Sequence, residues 1–285
     1  MRLFNCLIWF LKFYDSILKP KYYLSSFVLL DKKDLVIGLG EIGTPILKLI
    51  SKSKLIVGYD INPSLMNEKK FQKYENSPTE FLHVCIPFTE KFVEIVVNLY
   101  NKFNPRCIVI HSTIRPYTTN QIQKQLPIPV MYSATRGVHK RMLHDLKRYT
   151  KFFAIEPNAP NRQWAINDYK KTMKKCGVKT KHMSFPITLE LAKIITDTSY
   201  YGWLITYAQL SKMIAIQNKV NYDEMWSFAD EIHKFLGNRP KMFPGFIGGH
   251  CVIPNLDLIK NDTLDLIKEI NNDYAKLLKN KTRSK

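Results

Sequence analysis

The stretch Leu35-Val-Ile-Gly-Leu-Gly-Glu-Ile-Gly43 constrains this chain more than any other. A short apolar run, Leu35 to Ile37, feeds into Gly38-x-Gly40-x-x-Gly43, and a helical pattern of apolar residues (Ile46, Leu47, Leu49, Ile50) begins at once. The order is strand, turn, helix. The first glycine permits the tight turn, the second lets backbone approach a pyrophosphate, and the third lets helix and strand pack closely. The helix N-terminus then offers unpaired N–H groups and a partial positive charge to phosphates. A glycine turn that merely joins a strand to a helix is the competing explanation. Against it, a second strand, Lys54 to Asp60, ends in a carboxylate 22 residues after Gly38. A dinucleotide-binding unit places there the acid that takes the adenosine ribose hydroxyls. Asp60 favours NAD over NADP, because a carboxylate would repel a 2′-phosphate and the next residue is Ile61 rather than an arginine.

From Leu35 to about Pro157 strands and helices alternate. Strands are predicted at Glu80 to Ile86, Arg106 to His111, near Val130 and at Phe152 to Ile155, with helices at Glu90 to Phe103 and Thr118 to Gln125. Asn161 to Cys176 reads as a further helix and Lys179 to Met183 as a last strand. This pattern predicts an α/β Rossmann-type, doubly wound parallel sheet covered on both faces, with ligands at the carboxyl ends of the strands.

The character changes at Pro186. From Thr188 to Gln217 there is no proline and a single glycine, Gly202, so one helix about 45 Å long is predicted at 1.5 Å per residue. It is apolar on more than one side, which predicts a homodimer through residues 188–217. Helices at Asp223 to Leu236 and Asp262 to Leu278 precede a basic tail. Three segments result: an apolar extension over 1–30, a dinucleotide-binding domain over 31–186, and an all-helical dimerisation and catalytic domain over 187–285.

The extension carries Leu3, Phe4, Leu7, Ile8, Phe10, Leu11, Phe13, Tyr14, Ile17 and Leu18, broken by Lys12 and Asp15. It is too short and interrupted to span a bilayer. A helix packed on the body or on a partner subunit is one expectation, and an interfacial contact with a membrane surface the other. The net charge of +19 gathers at Lys140 to Lys151, Lys170 to Lys181 and the tail. Such an excess attracts anions. No basic stripe interleaved with aromatics stands out, so a lysine-rich solvated surface is favoured over a nucleic-acid interface. The five cysteines form no CxxC pair and are odd in number, which argues for reduced thiols in a cytoplasmic setting and against a disulfide framework or a metal site.

A second stretch carries chemistry: Gly245-Phe-Ile-Gly-Gly-His250-Cys251-Val-Ile-Pro-Asn255-Leu-Asp257. Glycines around a thiol suit a loop that a small substrate approaches closely, and a neighbouring imidazole or helix N-terminus would lower the thiol pKa. Taken alone, a cysteine beside a histidine is more often packing than catalysis.

With this loop the chain resembles the UDP-glucose/GDP-mannose dehydrogenase family, over residues 34 to 260. Gly248 to Cys251 is similar to that family's nucleophile loop, Ser112-Thr-Ile-Arg-Pro-Tyr-Thr-Thr119 to its Ser-Thr segment, and Glu190-Leu-Ala-Lys193-Ile-Ile-Thr-Asp197 to the motif opening its long central helix. The resemblance implies an NAD-dependent, four-electron oxidation of a primary alcohol, on a nucleotide sugar or a smaller hydroxylated compound. It implies Cys251 as nucleophile, Lys193 as the cation that stabilises an alkoxide, and Asp197 and Thr113 beside the reacting centre. It places the cofactor on Gly38, Gly40, Glu41, Ile42, Gly43, Asp60, Pro87, Ser112 and Thr113. The departures are equally specific. The family's Pro-Glu is replaced by Tyr132-Ser-Ala-Thr-Arg136, its helix asparagine by Asp197, the Ser-Thr segment's glycine by Tyr117, and the aspartate four residues after the cysteine by Asn255, with Asp257 as a substitute. With 34 residues after Cys251, the family's further nucleotide-sugar domain is expected to be missing here unless a partner chain supplies it. A catalytically impaired NAD-binding homologue, acting as a scaffold or regulatory partner, is the alternative expectation.

Overall fold

The computed structural model describes residues 31–237, 240 and 242–283. The apolar extension 1–30, with its expected membrane or packing role, lies outside them. Lys32–Lys285 forms one compact unit. Its seven strands are β1 (Lys33–Ile37), β2 (Ile56–Tyr59), β3 (Thr79–Val84), β4 (Cys107–Ile110), β5 (Val130–Tyr132), β6 (Lys151–Ile155) and β7 (Thr180–His182), in the order β2-β1-β3-β4-β5-β6-β7.

The strands are nearly continuous apolar runs because both faces are covered. Alternation along β1 sends Val36 into one core, with Phe81, Val109 and Met131, and sends Leu35 and Ile37 into the other, with Leu82, Ile108 and Tyr132. The first core is closed by α1 (Gly43–Ile50), by α5 (Met142–Arg148) and by α6 (Arg162–Lys175). The second is closed by α3 (Phe92–Phe103) and α4 (Thr118–Gln123), with Leu189 added from α7 (Pro186–Leu191). A short α2 (Glu68–Lys73) follows β2. Across the sheet a buried polar chain runs from Asp34 through His83 and His111 to the Ser133 carbonyl, which accepts from His111 Nδ1 at 3.0 Å.

The parallel sheet holds with one correction. β5 and β6 are antiparallel, while β6 and β7 are parallel to each other. The β5–β6 connection carries a 3₁₀ turn, His139–Arg141, and the seven-residue α5, and it turns back without crossing to the far edge of the sheet. It therefore stays at the carboxyl ends of the strands, the ligand edge of such sheets. Lys151 opens β6 at that same edge.

The predicted long helix is also modified. Pro186–Leu191 and α8 (Tyr200–Gln217) are joined by a π-helical stretch, Ala192–Ser199, so the run is continuous but locally widened. Three hydroxyls explain this: Thr196 donates to Ala192 O at 2.8 Å, Thr198 to Lys193 O at 3.1 Å, and Ser199 to Ile195 O at 2.8 Å. Side chains that bond backbone carbonyls this way loosen the regular ladder, and π stretches gather at functional sites. The remaining helices are α9 (Tyr222–Leu236), the short α10 (Ile253–Leu256) and α11 (Asp262–Arg283). No helix among the described residues is long and apolar enough to cross a membrane.

Candidate active site

The glycine turn has the shape its spacing calls for. Gly38 has φ +85°, and a Cβ there would lie 2.9 Å from the Cys85 carbonyl. A Cβ on Gly43 would meet the Gly38 carbonyl oxygen at 1.7 Å, which no rearrangement of a side chain relieves. Gly40 faces open space, as a turn approached by a pyrophosphate requires. The first turn of α1 holds no acid, and Ile42 before it makes no capping bond through its side chain, so this helix end is left to an anion. Asp60 stands at the end of β2, accepting from Leu39 N–H at 2.6 Å and Asn62 N–H at 2.8 Å. The turn, the helix end and the carboxylate fit a dinucleotide.

Glu41 departs from that picture. Its carboxylate is shared by two imidazoles, His139 Nδ1 at 2.7 Å and His250 Nε2 at 3.0 Å. Those rings stack at 5.1 Å between centroids. The other nitrogen of His139, Nε2, lies 3.4 Å from Cys251 Sγ. The imidazole that reaches the thiol is thus His139, 112 residues away, while the adjacent His250 faces Glu41. The expected lowering of the thiol pKa is reversed. Burial pushes Cys251 up, the negative charge of Glu41 adds to this, and the Lys193 ammonium opposes it. The resting group is a thiol.

Lys193 sits in the π stretch, largely buried, and its ammonium binds Asp197 at 2.6 Å. The widened turn therefore carries both residues expected there, already paired. Glu190, one turn earlier, does structural work: it accepts from Tyr117 N–H at 2.6 Å, Thr119 N–H at 3.0 Å and the Thr119 hydroxyl at 2.6 Å. It caps α4 and ties the Ser-Thr segment to the helix that bears Lys193. In that segment Ser112 donates to Ile86 O at 2.5 Å, Thr113 is half-buried, and Pro87 is exposed.

Where a family glutamate is expected, the backbone is held by a buried amine. Lys151 Nζ donates to Ser133 O at 2.8 Å, Ala134 O at 3.0 Å and the Thr135 hydroxyl at 2.9 Å. Burial brings its pKa down to about 7. Nearby Asp145 fixes the His139 segment, accepting from Val138 N–H at 2.9 Å and from Arg141 Nε at 3.1 Å. Asp257 does not replace the missing aspartate; it pairs with Lys268 on α11. Asn255 instead donates to the Cys251 carbonyl at 2.6 Å.

The loop bearing Cys251 rests on a small core of Ile247, Val252, Leu256, Leu264 and Ile267. Gly202 makes room for it, since a Cβ there would meet Val252 at 3.1 Å. Gln209 and Asn271 clamp its start, with Gln209 Nε2 to Gly245 O at 2.7 Å and Asn271 bonding both Ile247 N–H (2.8 Å) and Ile247 O (3.1 Å). Lysine at the head of an apolar strand was the available signal for Lys151. Nothing local marked His139.

No family model matches this chain, and no curated protein does. Solved structures do match. The fold is similar to UDP-D-ManNAc dehydrogenase from Pyrococcus horikoshii, with a TM-score of 0.69 and 18% identity over 85% of this chain and 68% of that one. It is similar to UDP-N-acetyl-mannosamine dehydrogenase from Staphylococcus aureus, with a TM-score of 0.68 and 18% identity over 88% and 70% of the two chains. It is also similar to 3-hydroxyisobutyrate dehydrogenase from Mycobacterium tuberculosis, with a TM-score of 0.61 and 14% identity over 87% of this chain and 94% of that one. At these identities the likeness is one of fold.

Proposed function

We propose that the chain is an NAD-dependent oxidoreductase that takes a primary alcohol, on a nucleotide sugar or a smaller hydroxylated compound, to a carboxylate. The observation that carries this reading is the placement of Cys251 and His139 beside Glu41 of the glycine turn, with the Lys193 ammonium close enough to act on the thiol. Bound NAD would accept one hydride in each of two oxidations, so that RCH2OH, two NAD+ and one water give RCOO−, two NADH and three protons. Lys193 stabilises the negative oxygen formed at each stage. Cys251 adds to the aldehyde: a C–S bond forms, the carbonyl π pair moves to oxygen, and the thiol proton passes to His139 Nε2, whose Nδ1–H is held by Glu41. Loss of hydride from this alkoxide leaves a thioester. Water then attacks, the C–S bond breaks, and the sulfur recovers its proton from His139. Because the resting thiol is protonated, this scheme needs a base beside it, and His139 is placed to act as one.

The test is absorbance of reduced nicotinamide on mixing the protein with NAD and candidate alcohols. Wild type should reduce NAD. Lys193→Ala should lower kcat by about 10²–10³, and Cys251→Ser should stop turnover at the aldehyde. Silence of the wild type with every nucleotide sugar and hydroxy acid overturns the reading. The scaffold alternative is favoured by one observation, the Lys193–Asp197 pair, which neutralises the cation the chemistry needs. It expects NAD binding without turnover.

We propose further that the protein is a homodimer through residues 188–217. Four free thiols among the described residues suit a reducing compartment such as the cytoplasm.

A further inference from the structure

We infer that Cys251, His139 and His250 form a binding site for a divalent transition metal of the zinc type, with Glu41 as the group that orients its imidazoles. Their donor atoms lie within 4.8 Å of one another. A tetrahedral zinc with bonds of about 2.0–2.3 Å needs its donors about 3.3–3.8 Å apart. Cys251 Sγ and His139 Nε2 already meet that spacing at 3.4 Å, so only His250 has to close in, by roughly an ångström. His250 has an exposed side chain and follows Gly248 and Gly249, so a turn of its side chain toward the pair meets little obstruction.

The chemistry of the donors selects the metal. One thiolate and two imidazoles are the ligand set of zinc and its neighbours, whereas magnesium and calcium take oxygen. The arrangement around His139 adds an independent observation. A metal-bound histidine nearly always gives its second ring N–H to an acceptor, commonly a carboxylate, which fixes the tautomer that frees the other nitrogen for the metal. Glu41 stands 2.7 Å from His139 Nδ1, on the side away from the thiol. The fourth coordination position is open to water.

The donors come from two loops and are separated by 111 residues, so no CxxC or HxxxH spacing announces them. β6 running antiparallel is what brings them together, because it leaves the His139 segment at the cleft. A metal here would engage the sulfur lone pair that the proposed oxidation uses. The site would therefore be inhibitory, a reversible block on the nucleophile, while its existence does not depend on the oxidation being right.

The test is titration of the full, reduced chain with Co2+ followed by visible absorption, with no NAD present. One ion per chain should bind in tetrahedral form, with a thiolate-to-cobalt charge-transfer band that Zn2+ abolishes on displacing the cobalt. Cys251→Ser, a near-isosteric change, should remove the band. Glu41→Gln should weaken binding by about 10–100-fold, and His139→Ala with His250→Ala should abolish it, each variant checked for native circular dichroism. Absence of a thiolate band in the wild type overturns the site. So does a band that persists in Cys251→Ser, or an affinity unchanged when both histidines are removed.

Discussion

Tyr117 holds a backbone conformation that its side chain does not favour, φ 71° and ψ 1°, immediately before α4. A non-glycine residue in this left-handed region costs about 1–2 kcal/mol. Its carbonyl neighbours cannot relax it, because Glu190 fixes both the Tyr117 and Thr119 N–H groups. The phenol is 61% exposed and packs little, so the strain is not repaid by burial. Tyr117→Gly should therefore stabilise the protein by about 0.5–1 kcal/mol, the steric relief less the extra chain entropy of glycine. Urea unfolding measures this, and a destabilised variant would mean the tyrosine contributes a contact beyond backbone geometry. At this scale the sequence was readable where a residue's role is local. Gly38, Gly43 and Asp60 occupy the places their spacing specifies. Glu41, His139 and Lys151 could not be assigned, because what each does depends on a partner brought by a distant element.

The elements show the same division. Strand and helix positions followed from periodicity to within a residue or two at most ends, since burial on two faces writes itself into every strand. The reversal of β6 did not, because apolar runs look alike in either direction. Nor did the π stretch, which is set by three hydroxyls in succession. Two elements can be tested through the groups that anchor them. Lys151 ties β6 to the segment after β5, and burial lowers its pKa from 10.5 to about 7. Above about pH 7 the folded amine releases its proton while the unfolded one keeps it, so the unfolded state holds more protons and stability rises with pH. The slope reaches at most about 1.4 kcal/mol per pH unit. The buried Cys85 thiol, pushed from 9.0 up to about 12, acts in the opposite sense once the unfolded thiol ionises. The window that isolates Lys151 is therefore about pH 7 to 8.5. Urea midpoints should climb across it in the wild type and flatten in Lys151→Met; equal slopes would rule out the lysine as the source. Asn271 anchors the loop that bears Cys251 to α11 with 3% of its surface exposed. Asn271→Leu leaves the Ile247 N–H and carbonyl buried and unpaired, which should cost about 2–6 kcal/mol at roughly 1–3 kcal/mol per group. A loss below about half a kcal/mol would show that the loop is held by its apolar contacts alone.

For the whole molecule, the informative feature is an inversion in α8. Its residues buried within the protomer are small or polar: Gly202, Thr206, Ala208, Gln209, Ser211 and Ala215. Trp203 and Ile205 pack inward on the core beneath the Cys251 loop, but several of the helix's large apolar residues are exposed instead, Tyr200 57%, Tyr207 61% and Ile214 46%. These three recur every seven residues, so they form one stripe along the helix, joined by Leu210. A protomer that spends its inner face on small side chains and leaves aromatics in water is organised for something against its outer face. On the neighbouring α9, Phe228 and Phe235 are likewise more than four-fifths exposed. A second copy is the simplest occupant, since an antiparallel pairing of one stripe with itself is self-complementary under a two-fold axis. Among the charges that would keep copies apart, the overall +19 is the strongest, so self-association should strengthen as salt rises. Sedimentation velocity should find a dimer at micromolar concentration, and more of it at high salt. Tyr207→Glu places a charge at the middle of the stripe, at the cost within the chain of the edge-on ring contact with Trp226 on α9. It should return the protein to a monomer with its circular dichroism unchanged. A wild type that sediments as a monomer at every salt concentration would leave the stripe to a different partner and remove the dimer.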